Sequence, residues 1–131
     1  MRVSQSIVFM AESAAVPKIA FVAPPIDTIA LDGLRYPADA ADVVGRAISM
    51  GNCHRAFPLT VAMCLAVAAR IDGTLVHEAA RKHPGDVRLA HPSGVLPLDA
   101  AVTLRHGAPW AERVTVYRSA RRLMEGFVRV P

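Results

Sequence analysis

Cysteine is scarce in this chain, with only Cys53 and Cys64 among 131 residues. No CxxC pair and no Cys/His spacing of a zinc site occurs, so a disulfide framework and a metal-stapled fold both fall away. No metal site is expected. Aromatic residues make up only 5%, with Trp110 the single tryptophan. Arg2, Arg35, Arg46, Arg55, Arg70, Arg81, Arg88 and Arg105 stand singly, and only Arg118, Arg121 and Arg122 cluster. A basic stripe interleaved with aromatics, the footprint of a nucleic-acid surface, is missing. Long apolar runs are missing too. The longest, Phe57 to Ala69, falls short of the roughly 20 residues a helix needs to cross a bilayer. Neither nucleic acid nor membrane is an expected partner.

What is present is a core-forming composition: 53% hydrophobic against 20% charged. A chain of this make-up folds rather than remaining disordered. A mean hydropathy of +0.31 also suggests apolar surface awaiting a partner. The formal charge is +4, carried mostly by arginine, which suits an acidic small molecule. The opening stretch, Met1 to Ala15, loosely imitates a secretory leader. Its apolar run from Ile7 to Ala11 is short and interrupted by Glu12, so it reads instead as the end of a helix. Reduced thiols in a cytoplasmic protein are the expectation.

Along the chain, Lys18 to Ala23 is a short apolar run between prolines and predicts a buried strand. Asp32-Gly33 marks a turn. Asp39 then caps an expected helix over Ala40 to Ile48, with Val43, Val44, Ala47 and Ile48 on its apolar face. A second helix, apolar on nearly every side from Phe57 to Ala69, must be buried centrally. With Asn52 as its cap it would hold both cysteines, about 16 Å apart along its axis and unable to pair. Cys64 then belongs to the core, and Gly73 is the expected left-handed stop. Thr74 to Lys82 reads as one more short helix. The remainder is strand-like: Val87 to Ala90, a turn at His91 to Gly94, Val95 to Leu104, a turn at Arg105 to Pro109, a half-buried Trp110 to Arg118, and a last strand over Gly126 to Val130. The predicted class is α+β, a mostly antiparallel sheet curled around one buried helix.

The best site candidate is the loop that opens the central helix. A helix N-terminus carries unpaired amides and partial positive charge, and Gly51 lets a carboxylate approach the backbone. Ser49, Met50, Gly51, Asn52, Cys53 and His54 form this loop, with Arg55 behind it. A plainer reading stays open, in which Asn52 is only a cap and His54 packs on the sheet. Cys53 at a helix start is either a favoured thiolate or a packing residue. Lys18, at the start of a strand, is either a solvated strand end or a cation aimed across a cleft. His91 and Ser93 lack an acid at triad spacing and read as a turn. No acid/base dyad can be named.

Four blocks carry a likeness: Val16-Pro17-Lys18-Ile19-Ala20-Phe21-Val22-Ala23-Pro24-Pro25, Ser49-Met50-Gly51 with His54 following, His91-Pro92-Ser93-Gly94-Val95, and the ending from Arg118 to Pro131. In this order they resemble the C-terminal portion of the PrpF family, the 2-methylaconitate cis–trans isomerases of the methylcitrate route of propionate catabolism, with methylitaconate isomerases as relatives. The resemblance implies a diaminopimelate epimerase-like fold of two α+β domains with the active site between them. Residues 1–131 would then be a partial C-terminal domain. The implied chemistry needs no metal or coenzyme: a base removes a proton beside a carboxylate and an acid returns one to the allylic carbon. The resemblance also implies that the principal acid/base cysteine and a catalytic lysine belong to the N-terminal domain. It makes Ser49 to His54, with Lys18, contacts to a small tricarboxylate. The expected activity depends on that missing N-terminal domain. The other reading is a non-enzymatic domain that self-associates or binds small acids.

Overall fold

The computed structural model describes residues 18–130. Its frame is a six-stranded sheet with β1 (Ile19–Ala23), β4 (Val43–Ser49), β6 (Val87–His91), β7 (Gly94–Arg105) and β8 (Ala108–Val116) in that spatial order. The short strand β5 (Asn52–Cys53) pairs with the end of β4. Only β4 and β6 run parallel; the other pairings are antiparallel. A separate ribbon, β2 (Thr28–Ile29) with β3 (Arg35–Tyr36), flanks the Asp32-Gly33 turn. Two helices follow β5, α1 (Leu59–Ala68) and α2 (Leu75–Ala79).

The expected helix over Ala40 to Ile48 is instead a 3-10 turn, Ala38–Ala40, followed by strand β4. The cause lies in the burial. With β1 on one edge and β5 and β6 on the other, β4 has Val43, Val44, Gly45 and Ala47 buried. A strand covered on both faces reads as a continuous apolar run, which periodicity alone does not separate from a helix. The β-branched Val43, Val44 and Ile48 then favour the pleated form.

The central helix starts later than expected. Asn52 and Cys53 pair back onto Ser49 and Ile48, so they are strand residues, and Asn52 caps nothing. Pro58 stands at the helix N-cap with no side-chain cap bond; its fixed φ and missing amide suit that place. Nor is the helix buried on every side. Ala62, Leu65 and Ala66 face the sheet, while Thr60 and Cys64 are exposed. Cys64 is therefore not core, and both thiols are free and exposed.

Ala69 ends α1, and Gly73, at φ +79°, serves the turn between the helices rather than the stop itself. Thr74 opens α2: its hydroxyl accepts from the His77 amide at 3.1 Å and donates to the Ala68 carbonyl at 2.7 Å. The expected strand over Gly126 to Val130 is not formed; residues 117–130 have no regular structure. Strand β8 is exposed over most of its length, and only Val114 to Val116 are half-buried. The expected helix end before Pro17 lies outside the described residues.

Val43, Leu65, Ala66, Val87, Leu89 and Leu98 make the main core between α1 and the sheet. Leu89 and Leu98 are fully buried, each contributing roughly 2–3 kcal/mol of apolar burial. A smaller cluster of Ala41, Val44 and Ala90 occupies the opposite face. There the β2–β3 ribbon is tied down by the Leu31 amide, which donates to the Pro92 carbonyl at 2.8 Å. At Gly94 (φ +127°) a Cβ would stand 3.1 Å from the Tyr36 hydroxyl, so glycine lets ribbon and turn approach closely.

Candidate functional site

Strand β4 turns back into β5 through Met50 and Gly51, at φ 53° and 74°. Two successive residues of positive φ make the primed turn whose twist matches a hairpin. Gly51 adopts it freely, whereas Met50 sits where non-glycine residues are uncommon. The Ser49 to His54 loop is thus a hairpin tip rather than a helix entrance. The Asn52 side-chain amide donates to the Met50 carbonyl at 3.1 Å, and the His54 amide to the Ala47 carbonyl at 2.8 Å. Met50, Gly51, Asn52 and Cys53 are exposed; Ser49 and His54 are half-buried.

The unpaired amides of α1 begin at Leu59, since the first bond along the helix runs from the Ala62 amide to the Pro58 carbonyl. The donor ring expected at Cys53 therefore opens beyond His54. A different feature marks the loop: Nε2 of His54 is buried and has no hydrogen-bond partner among the described residues. Such an atom is costly to leave unsatisfied.

Tertiary structure brings further groups to the same end of the sheet. Ile19 pairs with Ile48, so Lys18, one residue earlier and exposed, lies at the Ser49 end. Because β4 and β6 are parallel, the His91 to Gly94 turn emerges in the same direction as the hairpin. Ser93 Oγ donates to the Arg55 carbonyl at 2.5 Å, and its amide donates to His91 Nδ1 at 3.1 Å. The Phe57 ring meets His91 edge-on at 5.7 Å. It also lies over Gly45, where a Cβ would stand 2.5 Å from Phe57 Cζ. Burial lowers the His91 pKa, and the Arg46 charge adds to that, against a backbone contact with Arg55. Burial and the Arg46 charge thus favour the neutral form of His91. Sequence reasoning placed Arg46 on a helix and read His91 as part of a turn. Neither carries a local signal of its position, because the β4–β6 pairing that unites them joins residues some forty-five apart in the chain.

Three of the cavities lined by described residues stand out. One of about 400 Å3 includes Asp42, Arg70, His77, Arg81, His83 and Asp86. One of about 360 Å3 lies at the β2–β3 ribbon, and one of about 480 Å3 runs along α1 and β8. Ser49 to His54 line none of these three. Among the described residues no three His, Cys, Asp or Glu side chains gather as metal ligands, and no helix is long and apolar enough to cross a membrane.

Comparison with known proteins is consistent along the chain. The family model described as PrpF protein matches residues 1–131. The chain is 45% identical over 116 residues to a 2-methyl-aconitate isomerase of Shewanella oneidensis, covering 88% of this chain and 29% of that one. It is 38% identical over 123 residues to a 3-methylitaconate isomerase of Eubacterium barkeri, covering 91% and 31%. The crystal structure of a methylitaconate-delta-isomerase superposes with a TM-score of 0.73 at 34% identity, covering 91% of this chain and 30% of that one. The chain thus spans less than a third of the length of the curated relatives it matches. Its α+β architecture is the diaminopimelate epimerase-like one, with a curled mixed sheet and few helices. With a family model matched from end to end, the chain belongs to the PrpF family.

Proposed function

We propose that this chain forms one wall of the active site of a cofactor-independent isomerase acting on 2-methylaconitate-like unsaturated tricarboxylates. The observation that carries the reading is the 45% identity to a 2-methyl-aconitate isomerase over nearly the whole chain. The hairpin tip offers Ser49, the Gly51 backbone, Asn52, Cys53 and His54 to an anion, with Met50 shaping the turn and Lys18, Arg46 and Arg55 supplying charge. Carboxylate binding at this wall lowers the energy of the enolate-like intermediate formed when a proton leaves the adjacent carbon. The same proton inventory is restored when an acid returns one at the allylic position. The groups that remove and return the proton come from an N-terminal domain that this wall faces. That domain is the proposed partner, and turnover requires it. Residues 1–131 are on this reading part of the C-terminal domain, working in the cytoplasm in propionate breakdown.

The experiment mixes the chain with the N-terminal part of the Shewanella oneidensis isomerase and follows interconversion of 2-methylaconitate isomers by proton NMR. Activity is expected only in the mixture, with Ser49→Ala and His54→Gln each lowering it at least tenfold. No gain on mixing, with both parts folded, counts against the reading. A second reading, a non-enzymatic domain that self-associates or binds small acids, is favoured by the apolar groove along α1. It predicts carboxylate-induced shifts at the hairpin without turnover in any mixture.

A further inference from the structure

The His91-Pro92-Ser93-Gly94 turn lies outside the Ser49 to His54 wall, yet it holds the segment that leads out of that wall. This segment, Arg55 to Pro58, runs from β5 to α1 without regular structure. Among the described residues, no backbone amide from Arg55 to Phe57 donates to a backbone carbonyl. Its fixings come from distant parts of the chain. Ser93 Oγ donates to the Arg55 carbonyl at 2.5 Å, across a separation of thirty-eight residues. The His91 ring makes a second contact with the Arg55 backbone and meets the Phe57 ring edge-on at 5.7 Å. Phe57 in turn lies against Gly45 of β4. The turn also orients its own hydroxyl, because the Ser93 amide donates to His91 Nδ1 at 3.1 Å. A side chain that accepts an amide two residues on fixes a turn as a backbone bond would.

We propose that Ser93, oriented by His91, is a positioning residue for the acid-binding wall. Its hydroxyl holds the Arg55 carbonyl and so sets where the His54 and Arg55 side chains meet a carboxylate. The inference rests on the proposed function and deepens it by adding a residue that touches no substrate. The His54 backbone is tied to β4 through its amide bond to the Ala47 carbonyl at 2.8 Å. Arg55, one residue on, has no such tie, and its side chain is exposed. A shift of its backbone therefore moves the guanidinium with nothing else to stop it. Misplacing a binding group by about 1 Å can cost on the order of a hundredfold in rate. Removing one hydroxyl costs less, because the Phe57 packing on Gly45 and His91 stays. Ser93 is itself exposed, so its bond adds little to the stability of the fold. The effect of losing it falls on placement.

The test compares Ser93→Ala with Ser93→Thr, which keeps a hydroxyl, each in the full chain. Both variants should melt close to the parent chain, as exposed substitutions do. In amide NMR spectra, Ser93→Ala should move the signals of His54, Arg55 and Ala56 and leave those of β8 in place, and Ser93→Thr should return them. Each chain is then mixed with the N-terminal part of the Shewanella oneidensis isomerase. There Ser93→Ala should lower kcat/KM for 2-methylaconitate roughly fivefold, the worth of one net hydrogen bond, and Ser93→Thr should restore it. Shifts confined to the His91 to Val95 turn overturn the proposal. So does an active mixture in which Ser93→Ala matches the parent, or a loss that Ser93→Thr does not recover. A loss that follows a lowered melting temperature overturns it too, since Ser93 would then serve only the stability of the fold. Absence of turnover with the unaltered chain is a failure of the catalytic reading itself, and the positioning role falls with it.

Discussion

Arg88 grips Asp42 across the only parallel seam described in the main sheet. Its guanidinium reaches Asp42 Oδ1 at 2.6 Å and Oδ2 at 3.2 Å, and its amide donates to Oδ2 at 2.8 Å. Burial pushes the Asp42 carboxyl up, yet the Arg88 hydrogen bonds and charge outweigh it and hold the carboxyl below its ordinary range. The pair is asymmetric: the Asp42 side chain is 3% exposed and that of Arg88 28%.

That asymmetry predicts which half of the pair matters more. Arg88→Leu strands a buried carboxylate and is expected to lower stability by about 3 kcal/mol or more. Asp42→Asn leaves an arginine that can reach water and should be milder. Urea unfolding of both variants checks the order, and an equal loss would contradict it.

Two pH windows follow from the shifted groups. His91 has a folded pKa below its unfolded value, so its contribution is complete above about pH 6.5 and is lost as pH falls through its folded pKa. The urea midpoint should decline as pH falls below about 6.5, and His91→Gln should flatten that decline. Asp42, also depressed, acts lower: its contribution is lost as pH falls below about 3.8.

Gly45 is expected to tolerate a side chain poorly while Phe57 lies across it. Gly45→Ala places a methyl 2.5 Å from Phe57 Cζ and should cost about 1–3 kcal/mol by overpacking. Adding Phe57→Leu should recover part of that loss, measured as a coupling between the two positions. It should also change the chemical shifts of His91, which the Phe57 ring touches.

Met50 holds a left-handed backbone, at φ 53°, that asparagine adopts more readily. Met50→Asn should raise stability by roughly 0.5–1 kcal/mol. If Met50 serves the acid-binding wall, the same variant will bind carboxylates more weakly, an exchange of stability for function that thermal melts and NMR titration separate.

How much of this was legible beforehand depends on the range of the interaction. Pro17, Pro24 and Pro25 bracket β1, and Arg105-His106-Gly107 breaks β7 from β8 much where expected. Those are local steric signals. Val43 to Ile48 misread as a helix because its apolar positions satisfy both periods, and only flanking strands decided between them. Cys53 was assigned to α1 because an apolar run has no visible start, whereas pairing with Ile48 moved it into β5. Cys64 was assigned to the core because the helix is apolar around its circumference, while the described chain covers only one side of it.

Composition, turn residues and family blocks are written along the polymer in order, and they suffice to identify a core-forming α+β chain of the PrpF type. Tertiary structure alone makes the Ser49–His54 segment a hairpin tip, sets His91 against Arg55 and Phe57 just beyond it, and leaves one flank of α1 uncovered by the described residues. Each depends on pairings between residues far apart in the chain, and such pairings leave no mark on either partner's neighbours.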